Sequence, residues 1–130
     1  MTRASIKTTP RSACPVACAL DVLGDKWTLL IVRDLIDGKH RFGDLGVSPE
    51  KIATNILADR LRHMESNGII EKLQYAENPP RYEYRLTTKG KGLAPVLRAL
   101  RRWTMRHTAD TSEIPERHRT HSRDRPLRLS

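Results

Sequence analysis

Apolar residues recur at helical spacing through the front of the chain and predict two consecutive helices. The first covers residues 15–23, with Pro15 in its first turn and Gly24 directly after its end. The second covers residues 26–36 and follows Asp25, a residue type that often caps helices. Apolar side chains give this second helix a broad apolar face, so we expect it to be the central buried helix.

A shorter apolar pattern predicts a third helix over residues 41–47. Phe42 and Leu45 would point inward from this helix. Gly43 and Gly46 lie within the same stretch, and glycine disfavours helical backbone. The pattern therefore does not define where this helix begins or ends.

The most amphipathic stretch covers residues 48–68, SPEKIATNILADRLRHMESNG. Leu57, Leu61 and Met64 lie at positions i, i+4 and i+7, so they share one face of a helix. The opposite face carries small, hydrogen-bonding and charged side chains, namely Asn55, Ala58, Asp59, Arg62 and Ser66. The segment thus predicts a helix with one buried face and one polar face, ended by the glycine at its close.

Two interpretations of the start of this helix are open. Local propensity allows one continuous helix over residues 49–67, with Ser48 as its cap. It also allows a break near residues 52–53, with a shorter helix beginning after the break. Propensity alone does not decide between them.

The chain then changes from helical spacing to strand-like alternation. Residues 69–75 and 81–86 are two β-like runs, and the sequence AENPP between them is typical of a turn. Tyr82, Tyr84 and Leu86 alternate along the second run, as expected of a half-buried strand.

Helical spacing returns after the second run. Thr87 or Thr88 is predicted to cap a last, long helix that reaches about residue 106. The apolar positions of this helix are Leu93, Val96, Leu97, Leu100, Trp103 and Met105.

Helices, a two-stranded hairpin and a final helix, in this order, are typical of a winged helix-turn-helix domain. The predicted fold class is therefore mainly α (α+β), with a two-stranded wing. An amphipathic helix with a small, polar outer face can enter the major groove of DNA. A hairpin with a proline-rich tip can lie along the DNA backbone or the minor groove.

The charge balance also indicates an anionic partner. The 130-residue chain has 24 Lys and Arg against 15 Asp and Glu, a net charge of +9, and nucleic acid is the leading candidate. Residues 1–13 and 108–130 are predicted to be flexible basic segments on either side of a domain at residues 14–107. The second segment either has no function or adds phosphate contacts that raise affinity without specificity.

Composition argues against a membrane or secreted protein. No stretch approaches the roughly 18 apolar residues of a spanning helix, and no apolar run follows the basic N-terminus as it would in a signal peptide. Two cysteines cannot staple a domain of this size. We therefore expect a soluble, cytoplasmic protein with no membrane partner.

Four segments together resemble the HxlR family of bacterial winged-helix regulators. They are CPVACALDVLGDKWTLLIVRDL at 14–35, HRFGDL at 40–45, IATNILADRLRHMESNGII at 52–70 and PPRYEYRLTTKGKGLAPVLRALRRW at 79–103. A cysteine before Pro-Val, a GDKWT segment, a PPRYEY wing and an LTxxG helix start form a specific combination. The glycines of the short third helix depart from the usual pattern of the family.

This resemblance implies a winged helix related to the MarR-type regulators. It implies a homodimer, held by the first and last helices, that binds a palindromic DNA operator and represses or activates transcription. It also places a turn before IATN, so the recognition helix would start near Ala53 or Thr54, which favours the broken helix.

The predicted DNA contacts divide into base contacts and phosphate contacts. Thr54 and Asn55 can bond to base edges, and Ala58 can contact a thymine methyl group. Arg62 can reach guanine or phosphate, while Asp59 either accepts from cytosine or orients Arg62. The predicted phosphate contacts are Arg41 and Lys51 at the front of the motif and Arg81, with Lys72, from the wing. Arg60 lies toward the buried edge, where a structural role and a DNA contact are both open.

A second copy of the chain is the other predicted partner. The last helix is apolar on one broad face, and a small domain has little core to cover that face. The predicted dimer interface comprises Val16 and Leu20 of the first helix and Leu93, Val96, Leu97, Leu100 and Trp103 of the last.

Cys14 is the candidate for redox sensing. It lies at a helix start, where the helix dipole lowers a thiol pKa and favours the reactive thiolate. It also occupies the position of the family's cysteine, which senses oxidants or electrophiles in several relatives. Cys18 is instead expected to be a small buried residue, with a disulfide bond between subunits as the alternative.

Other classes of function fit the sequence less well. The spacing C-x-x-x-C is not the C-x-x-C of thiol oxidoreductases, and no βαβ pattern surrounds it. We find neither metal-ligand spacing nor a phosphate loop, so we expect no enzyme, no metal and no cofactor. A nucleic-acid-binding module without sequence specificity is the main alternative.

Overall fold

Over the residues that the structure describes, the fold is a winged helix with six helices and one antiparallel hairpin. A computed structural model describes residues 11–108, so nearly all of the two predicted basic segments lies outside the described residues. In chain order the elements are α1 Pro15–Leu23, α2 Thr28–Ile36, α3 Phe42–Leu45, α4 Thr54–Ser66, β1 Ile70–Glu77, β2 Pro80–Leu86, α5 Thr88–Lys91 and α6 Ala94–His107. The predicted fold class is confirmed.

Asp25 bonds to the start of α2, although the N-cap residue of the helix is Trp27 and not Asp25 as the sequence predicts. Its Oδ1 accepts hydrogen bonds from the backbone N–H groups of Trp27 and Thr28, both at 2.8 Å. Its Oδ2 accepts from the Thr28 hydroxyl at 2.6 Å. Because these bonds hold residues 25–27 in a turn, α2 begins at Thr28, two residues later than predicted.

The chain breaks before α4, so the continuous helix over residues 49–67 is wrong. Lys51 has a left-handed φ of 60°, and its N–H bonds to the Ser48 carbonyl to close a tight turn. Ala53 is extended, with ψ of 146°, and α4 begins directly after it. The helix therefore starts where the family resemblance places it.

The hairpin is longer, and its turn shorter, than the sequence predicts. Ala76 and Glu77 belong to β1 and Pro80 begins β2, so Asn78 and Pro79 alone make the turn. The register runs from Ile70 opposite Leu86 to Glu77 opposite Pro80, with one bulge between Gln74 and Ala76. We call this hairpin the wing.

The predicted long last helix is wrong, because the structure has two helices in its place. Thr87 caps α5, accepting a hydrogen bond from the Gly90 N–H at 3.1 Å. α5 then ends at Gly92, and α6 begins with Pro95 in its first turn. Proline has no N–H to continue a preceding helix but suits the first turn of a new one.

The hydrophobic core lies between α2, α4 and the base of the wing. Leu57, Leu61 and Met64 of α4 are almost completely buried, as their spacing predicts, together with Val32 and Ile70. Leu45 anchors the short α3 to the same core, while Phe42 is partly buried against it. The apolar face of α4 therefore packs into the core.

Within the described part of the chain, no helix is long and apolar enough to cross a membrane.

Gly90 lies where two backbone segments approach each other closely, and its substitution tests this part of the fold. A Cβ at this position would lie well inside contact distance of the Ile69 carbonyl oxygen and 2.9 Å from Leu86 Cδ2. We expect Gly90→Ala to lower the free energy of unfolding in urea by about 1–3 kcal/mol, because backbone cannot move aside as a side chain can. Gly43→Ala is the matched control, since a Cβ there meets nothing within 4 Å. Equal stability of the two variants would contradict the close approach.

Candidate nucleic-acid interface

The outer face of α4 brings together most of the predicted base contacts. Thr54, Asn55 and Asp59 are exposed, Ala58 is half-buried, and the Arg62 side chain is 73% exposed. In the part of the chain that the structure describes, the side chains of Thr54 and Asn55 make no hydrogen bond. Their donors and acceptors are therefore available to a partner along this face.

Asp59 lies between two arginines on that face. Its Oδ2 accepts a hydrogen bond from Arg60 at 2.8 Å, and its Oδ1 is 3.7 Å from Arg62 Nη2. The hydrogen bond from Arg60 is the main cause of the lowered pKa of Asp59, so the carboxylate is ionised at neutral pH. This geometry fits an orienting role for Asp59 toward Arg62.

Arg60 connects α4 to the start of α2. Its Nη1 donates to Asp25 Oδ2 at 3.2 Å, while its Nη2 donates to Asp59 Oδ2. These carboxylates raise the pKa of Arg60 against the opposing effect of burial, with the Asp59 hydrogen bond the largest cause. Of the two roles left open for Arg60, the contacts favour the structural one.

The turn before α4 is held by an ion pair that sequence reasoning missed. Arg33 of α2 donates two hydrogen bonds to Glu50, at 2.8 and 2.9 Å, and both side chains are more than three-quarters buried. Arg33 also bonds to Asp34 at 3.1 Å. Arg33 and Glu50 lie 17 positions apart in the sequence, and no sequence pattern links them. Their contact is therefore visible only in the folded structure.

The predicted phosphate contacts occupy two places. Lys51 is exposed in the turn before α4. Arg41, Lys72 and Arg81 line one open groove of about 470 Å³ between α3 and the wing. The structure thus brings the three wing-side cations together and leaves Lys51 outside that groove.

The residues predicted for a dimer interface are mostly exposed. No residue of α1 is buried, and Ala94 is the buried residue of α6. Val16, Leu20 and Trp103 are 66%, 53% and 65% exposed, and Val96 and Leu100 are exposed as well. Leu93 and Leu97 differ, because they pack partly against the core of the same copy.

The two cysteines have different surroundings. Cys14 is exposed at the start of α1, where hydrogen bonds from the N–H groups of Ala17 and Val16 lower the pKa of its thiol. Cys18 is only partly buried, less than the sequence predicts, and its thiol donates to the Ser12 carbonyl oxygen at 3.3 Å. Cys14 is thus the exposed thiol of the two, and its lowered pKa favours the reactive thiolate.

Comparison with known proteins gives consistent matches. A family model described as HxlR-like helix-turn-helix matches residues 22–112. An uncharacterised HTH-type transcriptional regulator of Methanothermobacter thermautotrophicus is 43% identical over 90 residues, which are 69% of this chain and 69% of that protein. These relatives are transcriptional regulators, not enzymes.

Solved structures agree with this match. The crystal structure of PA1607 is 44% identical with a TM-score of 0.69, covering 77% of this chain and 69% of that one. The redox regulator HypR, in its reduced form, is 32% identical with a TM-score of 0.68, covering 77% of this chain and 99% of that one.

Asp25→Asn tests the charge that joins α2 to α4. Burial acts to raise the pKa of Asp25, but hydrogen bonds from Thr28 and Trp27 and the charge of Arg60 outweigh it and lower the pKa. The stability that this carboxylate contributes is therefore complete above its unfolded pKa of about 3.9 and is lost as the pH falls through the lower folded pKa. Asparagine keeps a capping oxygen but no charge.

We expect wild type to exceed Asp25→Asn in unfolding free energy by about 1 kcal/mol at pH 7, with the difference shrinking below about pH 4. Urea titrations from neutral to acidic pH measure it. Glu65→Gln is the control, because Glu65 is exposed on α4 and has no ion pair among the described residues. A difference that stayed constant on acidification would contradict the role of the Asp25 charge.

Proposed function

The chain belongs to the HxlR-like helix-turn-helix family of transcriptional regulators, and from that premise we propose that it is a homodimer that recognises a palindromic DNA operator. It acts in the cytoplasm and regulates transcription by occupying that site. The observation that carries the proposal is the polar outer face of α4, where Thr54, Asn55 and Arg62 are exposed while the opposite face is buried.

In this proposal α4 enters the major groove and recognises the bases. Asn55 can bond in bidentate fashion to adenine, and Arg62 to guanine, while Ala58 contacts a thymine methyl group. Asp59 already forms ion pairs with two arginines. Its role is therefore to orient Arg62 and not to accept a hydrogen bond from cytosine. Thr54, at the first turn of the helix, contributes a hydroxyl to a base edge or a phosphate.

Phosphate contacts fix the position of α4 on the duplex. Lys51 contacts the backbone beside the start of α4, and Arg41 and Arg81 contact it beside the wing. Such contacts carry no sequence information but set register and orientation. They also make binding strongly dependent on salt.

A second copy of the chain covers α1 and α6. Their exposed apolar side chains would leave water on association, which contributes roughly 25 cal/mol per Å² of apolar surface buried. Leu93 and Leu97 form the inner edge of this interface, where it meets the core of each copy. A two-fold dimer presents two copies of α4 to two half-sites, as a palindrome requires.

Selection of bound sequences from a random duplex library, at physiological salt and with the full chain, tests this function. We expect an enriched palindrome with half-sites about one helical turn apart, bound by two copies of the chain as measured by the mass of the complex. Arg62→Ala should weaken binding to that palindrome by about 1–3 kcal/mol and relax the preference at one position of each half-site.

Lys91→Ala is the matched control, because it removes the same charge from an exposed position on α5. It should bind the palindrome as wild type does. Binding that depends on salt but enriches no sequence would instead support the module without specificity. No binding at all would exclude both.

Redox control through Cys14 is a second proposed function, supported by its exposure, its lowered thiol pKa and the likeness to HypR. With hydrogen peroxide, the thiolate attacks one oxygen, the O–O bond breaks, and sulfenic acid forms while hydroxide leaves and is protonated to water. A small electrophile would add to the same thiolate.

We expect hydrogen peroxide to change the affinity of wild type for the selected palindrome and to leave Cys14→Ser unaffected, because the thiolate is the reacting form. Cys18→Ser is the control and should respond as wild type does, since Cys18 is partly buried and bonded to Ser12. Equal responses of wild type and Cys14→Ser would show that Cys14 is not the sensor.

A further inference from the structure

Three basic side chains converge on the groove between α3 and the wing. Arg41, Lys72 and Arg81 line the groove, and among the described residues Asp44 is the acidic side chain in that lining. Like charges held close together repel one another, which costs stability. This excess of positive charge therefore opposes folding and favours the binding of an anion.

Two of these cations lie over tyrosine rings. The Arg41 guanidinium carbon is 4.8 Å from the centre of the Tyr75 ring, and Lys72 Nζ is 4.5 Å from the centre of the Tyr82 ring. Both tyrosines are 41% exposed, so these pairs are on the surface. A cation over a ring face is attracted to it, and a guanidinium lying there keeps its edge N–H donors free.

The bulge in the wing explains how Tyr75 reaches Arg41. Lys72 and Gln74 pair with Tyr84 and Tyr82, so these four side chains share one face of the hairpin. Strict alternation would turn Tyr75 to the opposite face. Tyr75 is instead the unpaired residue of the bulge between Gln74 and Ala76, and such a bulge redirects a side chain. Its ring lies in the groove as a result.

We propose that Tyr75 and Tyr82 are positioning residues that hold Arg41 and Lys72 ready for the phosphates of duplex DNA beside the wing. The proposal rests on the proposed function and deepens it, because it names residues that act through other residues. The groove is open, whereas small-molecule sites enclose most of their ligand. A DNA strand passing along the surface fits this shape.

A double-mutant cycle with the full chain and a random-sequence duplex tests the Tyr75–Arg41 pair, since phosphate contacts do not depend on sequence. Dissociation constants are measured over a range of salt concentrations. Arg41→Ala should weaken binding and lower the slope of log affinity against log salt by about 0.9, the value for one phosphate contact. Tyr75→Leu should weaken binding about two- to fivefold and shift the slope the same way. The double variant should bind like Arg41→Ala alone.

Two further variants separate positioning from general damage to the wing. Tyr75→Phe keeps the ring face and should restore most of the affinity lost in Tyr75→Leu. Leu73→Ala changes the face of β1 that points away from the groove, since Leu73 pairs with Glu83, and should bind as wild type does. If Tyr75→Leu does not fold in thermal melts, the same cycle on Tyr82 and Lys72 provides the test.

The proposal is overturned if Tyr75→Leu weakens binding by the same factor with and without Arg41, or if phenylalanine serves no better than leucine. It is equally overturned if Tyr75→Leu binds as tightly as wild type. These results are distinct from failure of the proposed function. A selected palindrome with independent effects of Tyr75 and Arg41 would overturn the positioning role alone, whereas a coupled cycle without any selected sequence would overturn operator recognition alone.

Discussion

Burial of one face of α4 is the constraint on which the rest of the surface depends. Leu57, Leu61 and Met64 are at most 2% exposed, and rotation of the helix would bring them into water at a cost of roughly 1.5–3 kcal/mol for each side chain. The polar face must therefore point outward. Which side chains can meet DNA is decided by this packing, before any charge or hydrogen bond is considered.

Two ion pairs then fasten the edges of α4 to α2. Arg60 pairs with Asp25, which bonds to the backbone at the start of α2, and Glu50 pairs with Arg33 across the turn before α4. Both contacts involve partly buried groups, for which loss of one partner leaves a charge without compensation. The orientation of α4 thus depends on apolar packing for its rotation and on α2 for the position of its start.

The sequence was sufficient for features that depend on local spacing and insufficient for those that depend on backbone detail. Hydrophobic periodicity found α2 and the buried face of α4, because burial repeats with the period of the helix, and Pro15 and Gly24 marked the ends of α1. It did not find the break at Lys51, where a left-handed residue depends on the surrounding turn; the family resemblance favoured that break. The restart at Pro95 was missed because the apolar spacing continues across it.

The residues of the candidate site also divide into those that local spacing predicts and those that depend on backbone detail. The outer residues of α4 followed from periodicity, since they are the complement of the buried ones. Tyr75 could not be found in this way, because alternation assigns it to the wrong side of the wing and a one-residue bulge corrects the assignment. Nor could Arg33 and Glu50, whose contact joins distant parts of the chain. A side chain that positions another side chain rarely produces a pattern that can be recognised in a single sequence.

α1 offers a physical route between the proposed thiol chemistry and α4. Cys14 directly precedes α1 as its N-cap residue, two residues before Val16, so modification there would add bulk or polarity beside the proposed dimer interface. The other end of the same helix touches α4, because His63 Nε2 donates to the Val22 carbonyl oxygen at 3.1 Å. A shift of α1 would therefore act on both the spacing of the two copies and the seating of α4. Since a palindrome fixes the spacing of its half-sites, a small change in either would be sufficient to alter the affinity for DNA.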